Sequence, residues 1–148
     1  MEIYFSCSIT GGRKDEPAYQ AIVAALQADG HQVPTAILAF PDVMHEEVQV
    51  SAAETYARDM GWLAACDAVV AEVSTPSHGV GYEIASAVAM EKPVICGCRQ
   101  GARVSKMISG DPHIVLVEYT EVTQYLSEIR DFLARIELTS HHGGNIHR

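Results

Sequence analysis

The chain has 148 residues, nineteen Asp and Glu against ten Lys and Arg, and a formal charge of −9 with histidine neutral. That length suits one compact domain, and 48% hydrophobic with 20% charged residues excludes an intrinsically disordered chain. The acidic balance argues against nucleic acid polymers and anionic membranes, which require clustered cations, but leaves room for a small anion held by backbone amides.

Residues 1–6 are too short and polar for a secretory signal, and no apolar run approaches the ~20 residues of a membrane span. Cys7, Cys66, Cys96 and Cys98 form no CxxC pair. Cys66 to Cys98 lie in or beside strand-like apolar runs, so reduced core thiols and a cytoplasmic protein are expected.

In chain order, Glu2 to Cys7 alternates around Ile3 and Phe5 and predicts a strand, ending in the loop Ser8 to Arg13. Pro17 to Ala28 predicts a helix closed by Gly30, and Gln32 to Leu38 a weak second strand. Pro41 to Glu47 reads as loop, Ser51 to Cys66 as helix, and Asp67 to Val73 as a buried strand. Thr75 to Gly79 predicts a turn, Val80 to Met90 a helix and Pro93 to Cys98 a fourth strand. A short helix over Arg103 to Ile108, a fifth strand over Ile114 to Glu118 and an amphipathic helix over Val122 to Ile136 complete the pattern. One domain over residues 1–139 is expected, with 140–148 a mobile tail.

Strands alternating with helices imply a parallel sheet with right-handed crossovers. Five strands at this length predict an α/β, flavodoxin-like (Rossmann-like) three-layer sandwich. Ligands of such sheets bind outside the carboxyl ends of the strands at the switch point. That rule selects two loops, 6–13 and 74–83.

The first loop, Ser8, Ile9, Thr10, Gly11, Gly12 and Arg13, combines small hydroxyls, bare backbone and one cation, the composition of an anion nest. Cys7 and Arg13 also carry the Cys-x5-Arg spacing of a low-molecular-weight cysteine phosphatase, with Asp111-Pro112 as a possible acid. Lys14 stands where that chemistry wants a hydroxyl to stabilise the thiolate, and Cys7 is more simply the end of a strand. A receiver domain lacks its acidic residues at Ser6 to Ser8 and Ser74, and a flavodoxin lacks its aromatics across 97–101.

The second loop, Ser74-Thr75-Pro76-Ser77-His78-Gly79-Val80-Gly81-Tyr82-Glu83, places a carboxylate above the switch point. The prediction sets Glu83 in the first turn of its helix, where the dipole keeps it ionised as a nucleophile. Asp59, inside the preceding helix next to Arg58, is a second carboxylate in a position that helix propensity disfavours. Two carboxylates in different surroundings can divide glycosidic cleavage, one attacking the anomeric carbon and one protonating the leaving group.

The stretches Tyr4 to Arg13, Asp59 with Trp62-Leu63, Ala68 to Val73 and Pro76 to Glu83, continued by Arg103 to Ile108, resemble the 2'-deoxynucleoside 5'-monophosphate N-hydrolases. These belong to the nucleoside 2-deoxyribosyltransferase superfamily. The resemblance implies Glu83 as a nucleophile forming a covalent deoxyribosyl-enzyme, Asp59 as the acid for the departing base, and Tyr4 as the tyrosine that helps set the carboxylate geometry. It implies substrate binding along Ser8 to Arg13 and at Ser77 and Gly79. Ser105 matches a serine that reaches the 5'-phosphate in the neighbouring subunit's site, which implies a homodimer. No metal and no cofactor are implied. Cys7 stands where the family often has Gly and Thr10 where it often has Arg, which removes one cationic phosphate contact; His78 replaces an apolar residue.

The expected activity is hydrolysis of a deoxynucleoside 5'-monophosphate to free base and sugar phosphate. A 2-deoxyribosyltransferase, a hydrolase of ribonucleotides, the cysteine phosphatase and a non-catalytic nucleotide sensor stand as alternatives. Trp62 and Leu63 read as a packing face, Cys96 and Cys98 as one strand face, and His141, His142 and His147 as a solvated tail.

Overall fold

In the computed structural model, which describes residues 1–9, 14–40 and 50–142, four strands form a parallel sheet in the order β1 (Ile3–Ser6), β2 (Ala68–Glu72), β3 (Val94–Arg99), β4 (Ile114–Tyr119). The helices are α1 (Glu16–Ala28), α2 (Ala52–Ala65), α3 (His78–Ala89), α4 (Lys106–Ser109) and α5 (Val122–His142). Two apolar clusters lie against the two faces of the sheet, one with α1 and α5 and the other with α2 and α3, so the layers are helix, sheet, helix.

The expected second strand, Gln32 to Leu38, is not formed, so the sheet has four strands and not five. Gln32 makes a single parallel bridge to Glu2, in which the Ile3 amide donates to the Gln32 carbonyl at 2.8 Å. Beyond it Pro34 has no N–H to continue a ladder. Thr35 is fully buried, and its Oγ1 accepts from the Phe5 amide at 2.8 Å, doing for β1 what a strand carbonyl would do. Residues Ala36–Ala39 then wind into a 3₁₀ turn. The sheet therefore keeps the doubly wound plan with one strand reduced to a bridge.

Most helices form where the apolar spacing predicts. Ser51 caps α2 in a reciprocal box with Glu54, the two amides being satisfied at 3.2 and 3.0 Å. Three ends differ from expectation by two residues or more, and one is the start of α4, at Lys106 behind its cap Ser105 rather than at Arg103. The helix α3 begins at His78 rather than Val80, because Ser77 is extended and its Oγ accepts from the Val80 amide. The last helix runs on to His142, past the expected end at Ile136. The expected loop 41–47 and the tail residue His147 lie outside the described residues.

Gly97 shows how tightly the layers meet. A Cβ built there would stand 2.4 Å from the Tyr125 ring. That ring cannot swing away: it is stacked on Tyr119 at 5.7 Å, and its hydroxyl donates to the Ala71 carbonyl at 2.8 Å. Gly97→Ala is expected to destabilise the protein by about 3 kcal/mol, the upper range for overpacking a filled core, measurable as a shifted urea midpoint with an unchanged slope.

Candidate active site

Strand parity builds the centre of the site. Along β1, Ile3, Phe5 and then Cys7 join the core on the α1 and α5 side. Tyr4, with Ser6 two residues on, points to the opposite face. There α3 presents Glu83, and the Ser6 hydroxyl donates to Glu83 Oε2. Both Tyr4 and Ser6 are fully buried.

Glu83 lies in the second turn of α3, not the first, since the helix starts at His78. The expected dipole stabilisation is therefore weaker at its position. Burial dominates instead and pushes the carboxyl up from an ordinary 4.5 to about 6, with the Asp59 charge adding to the rise. Hydrogen bonds from Ser6 and Tyr4, and the Arg58 charge, hold it down. Burial, and the negative charges of Glu83 and Asp59, raise the Tyr4 phenol well above its ordinary 10. It is thus a permanent donor, although its Oη has no partner at full hydrogen-bond geometry among the described residues.

Asp59 comes from α2, which packs beside α3. Its Oδ1 accepts from Arg58 Nε at 2.8 Å, and its side chain is 14% exposed. Arg58 in turn lies 5.1 Å over the Trp62 ring, so Trp62 supports the cation as well as packing against the core. The structure thus brings Tyr4, Asp59 and Glu83 together, along with Arg58 and Ser6.

A second group lies round the helix. Ser77, Gly81 and Ala85 of the α3 segment, with Ser105 and Met107, line a mainly apolar groove of about 470 Å³. Gly81 and Ala85 are about half a turn from Glu83 on the helix. Ser105 caps the short α4, its Oγ accepting from the Met107 amide at 3.2 Å. Gly79 is exposed in the first turn of α3. Ser8 is fully buried, and its Oγ has no partner among the described residues. Ile9 is partly buried against the α1-side core. Thr10, Gly11, Gly12 and Arg13 lie outside the described residues.

The turn that leads to α3 is clamped from below. Thr75 Oγ1 donates to Asp15 at 2.7 Å, and Asp15 meets Arg99 Nη2 at 2.6 Å. Ser74 Oγ accepts from the Arg99 amide at 2.7 Å and itself donates to Glu72. Burial raises the Glu72 pKa against hydrogen bonds from Ser74 and Tyr119. Sequence reasoning missed this polar network and Ser6. The isolated Glu in an apolar strand was a signal for the first, and the two-residue step from Tyr4 was a signal for the second.

Cys7 lies in the core with its thiol toward the Leu38 carbonyl at 3.5 Å. An attacking thiolate needs an exposed, electropositive setting, so the phosphatase geometry is not present at this residue. Cys66, Cys96 and Cys98 are buried thiols as well. The side chains of His141 and His142 lie outside what is described.

Residues 3–136 match the family model for nucleoside 2-deoxyribosyltransferase. A protein of Syntrophotalea carbinolica named as a 2'-deoxynucleoside 5'-phosphate N-hydrolase 1 is 38% identical over 140 residues, covering 93% of this chain and 98% of that one. A 5-hydroxymethyl-dUMP N-hydrolase of Esox lucius is 42% identical over 115 residues, 74% of this chain and 79% of its own. In fold, the chain is similar to a Clostridium botulinum CMP N-glycosidase at a TM-score of 0.67 and 18% identity, covering 88% of this chain and 99% of that one. The protein belongs to the nucleoside 2-deoxyribosyltransferase family.

Proposed function

We propose that the protein is a nucleotide N-glycosidase that hydrolyses a deoxynucleoside 5'-monophosphate to free base and deoxyribose 5-phosphate. The observation that carries this reading is one half-buried carboxylate, Glu83, facing a second, Asp59, over the end of β1. Relatives named as nucleotide N-hydrolases support the reaction class.

With its pKa near 6, Glu83 is mostly ionised at neutral pH and poorly solvated, which suits a nucleophile. It attacks C1' as the bond to the base breaks, and Asp59, charged in the free enzyme, takes up a solvent proton as the substrate binds and passes it to the departing base. Asp59 then takes a proton from water, which attacks C1' and releases Glu83. Tyr4 stays neutral through both steps and faces the Glu83 charge.

The 5'-phosphate is placed at the amino end of α3, where Ser77, the exposed Gly79 and the free amides meet the positive end of the helix. The buried Ser8 hydroxyl, without a partner among the described residues, supports a ligand oxygen nearby, since such groups are normally satisfied. These features favour a phosphorylated substrate over the free nucleoside of a transferase. A panel of nucleosides and their 5'-monophosphates, with and without a second free base, tests this. Base release from monophosphates alone is expected. Faster sugar transfer from unphosphorylated nucleosides establishes the transferase instead, and binding without turnover establishes a sensor.

The proposed assembly is a homodimer in which Ser105 serves the neighbouring site. The exposed Ser105 and the 84% exposed Met107 beside an apolar groove support an interface there. Mixing Glu83→Gln with Ser105→Ala subunits is expected to recover up to about a quarter of the wild-type rate at low substrate, because half the dimers then hold one intact composite site. No recovery places Ser105 in its own subunit's chemistry. The acidic surface leaves nucleic acid polymers out as substrates, and four free buried thiols suit a reducing compartment such as the cytoplasm.

A further inference from the structure

We propose that Ser6 is a positioning residue of this reaction: its hydroxyl, fixed beneath α3 by the parity of β1, donates to Glu83 Oε2 and leaves Oε1 as the oxygen that attacks C1'. The inference rests on the reading of Glu83 as the nucleophile.

Ser6 is fully buried on the strand, paired in register with Ala71, and its side chain contacts Glu83 across 77 residues of sequence. A glutamate on a helix has three side-chain torsions to settle before one oxygen faces the sugar. A donor built into a sheet strand removes that freedom without moving itself, because β1 is held along its length by β2. The bond is charge-assisted and shielded from water, so it favours the anion over the acid. The groups that face Glu83 are Tyr4 from β1 and Arg58 and Asp59 from α2. Tyr82, its neighbour in α3, is exposed and turned to Tyr56. Beside these groups, Ser6 is the one whose hydroxyl holds a Glu83 oxygen at full hydrogen-bond geometry among the described residues.

A serine that merely fills space makes different demands from one that orients a nucleophile. The test is steady-state base release by Ser6→Ala between pH 5 and 9, on the monophosphate that the wild-type protein hydrolyses fastest. The expected result is a kcat lowered about 10- to 100-fold with KM within about threefold, since the bond acts on the reacting group and not on substrate affinity. The acid limb of the profile is expected to move up by about one pH unit. Ser6→Cys, which keeps a weaker donor of similar shape, should fall between the two.

A wild-type kcat and acid limb in Ser6→Ala overturns the proposal. So does a lowered kcat with an unmoved limb and a lowered melting temperature, which is the result of packing alone. Glu83→Gln measured alongside separates the two levels. If that variant keeps its activity the nucleophile reading itself fails; if it is inactive while Ser6→Ala behaves as wild type, only the role of Ser6 falls.

Discussion

Glu83→Gln is expected to release base at least about 10³-fold more slowly than the wild-type protein, and to be the more stable of the two at neutral pH. The first effect follows from removing the anion that attacks C1'. The second follows from burial. The folded carboxyl titrates near 6 against an ordinary 4.5, so the fold holds its proton more tightly than the unfolded chain does. Wild-type stability therefore declines as pH rises from 4.5 through 6. That rise corresponds to an upper limit of about 2 kcal/mol. A neutral glutamine avoids the cost, and its side-chain carbonyl can still accept from Ser6. For a chain of this size the gain is about 4 to 8 °C in melting temperature, present above pH 7 and absent below pH 4. Thermal melts of both proteins at pH 4 and pH 8 check it. Equal melting temperatures at pH 8 would mean that Glu83 is better solvated than the structure places it.

Asp59→Asn is expected to lose about 10²- to 10⁴-fold on ordinary monophosphates, the range associated with one general acid. The loss depends on the base. A 7-methylguanine 5'-monophosphate already carries positive charge on its ring and departs without a proton, so Asp59→Asn should act on it at nearly the wild-type rate. Glu83→Gln should not, because that leaving group still needs a nucleophile at C1'. Both substrates measured with both variants assign the two carboxylates separately. An Asp59→Asn protein equally slow on the methylated nucleotide shows that Asp59 does something other than protonate the base.

The difference between these carboxylates is set by their neighbours. Asp59 sits in the middle of α2 with Arg58 on one oxygen, the cation itself resting over Trp62. Among the described residues Glu83 has no cation at ion-pair distance; it is held by the neutral donor Ser6, with a second neutral hydroxyl, Tyr4, close by. One strand supplies both hydroxyls, and the same alternation sends Cys7 into the opposite core. A loop with the spacing of a phosphatase thus starts from a residue with no access to a substrate.

Much of the fold was legible in the order of the residues. Alternating apolar runs and amphipathic segments determine the strand-helix rhythm, the parallel sheet and the ends of the strands where a ligand binds. Position marked Glu83, above the switch point, and Asp59, at a mid-helix place that propensity disfavours, whereas Tyr4 was marked only by the family resemblance. Local chemistry also held the limits of what could be read. Pro34 and Thr35 end the second strand after one bridge, and the decisive contact, Thr35 to Phe5, joins residues thirty positions apart. The start of α3 depended on Ser77 acting as its cap three residues before Val80, the first apolar position, and that shift moved Glu83 away from the helix dipole.

The state of that glutamate comes from packing between distant segments. Its identity is local, but its pKa is the sum of burial by α2 and β1, a hydroxyl from Ser6 and the charges of Asp59 and Arg58, all from outside its own helix. Desolvation and Coulomb interaction act through space and not along the chain. Residue order sets which groups are available to react; the packing of α2 and α3 on one face of β1 sets which of them meet, and how firmly Glu83 holds its proton.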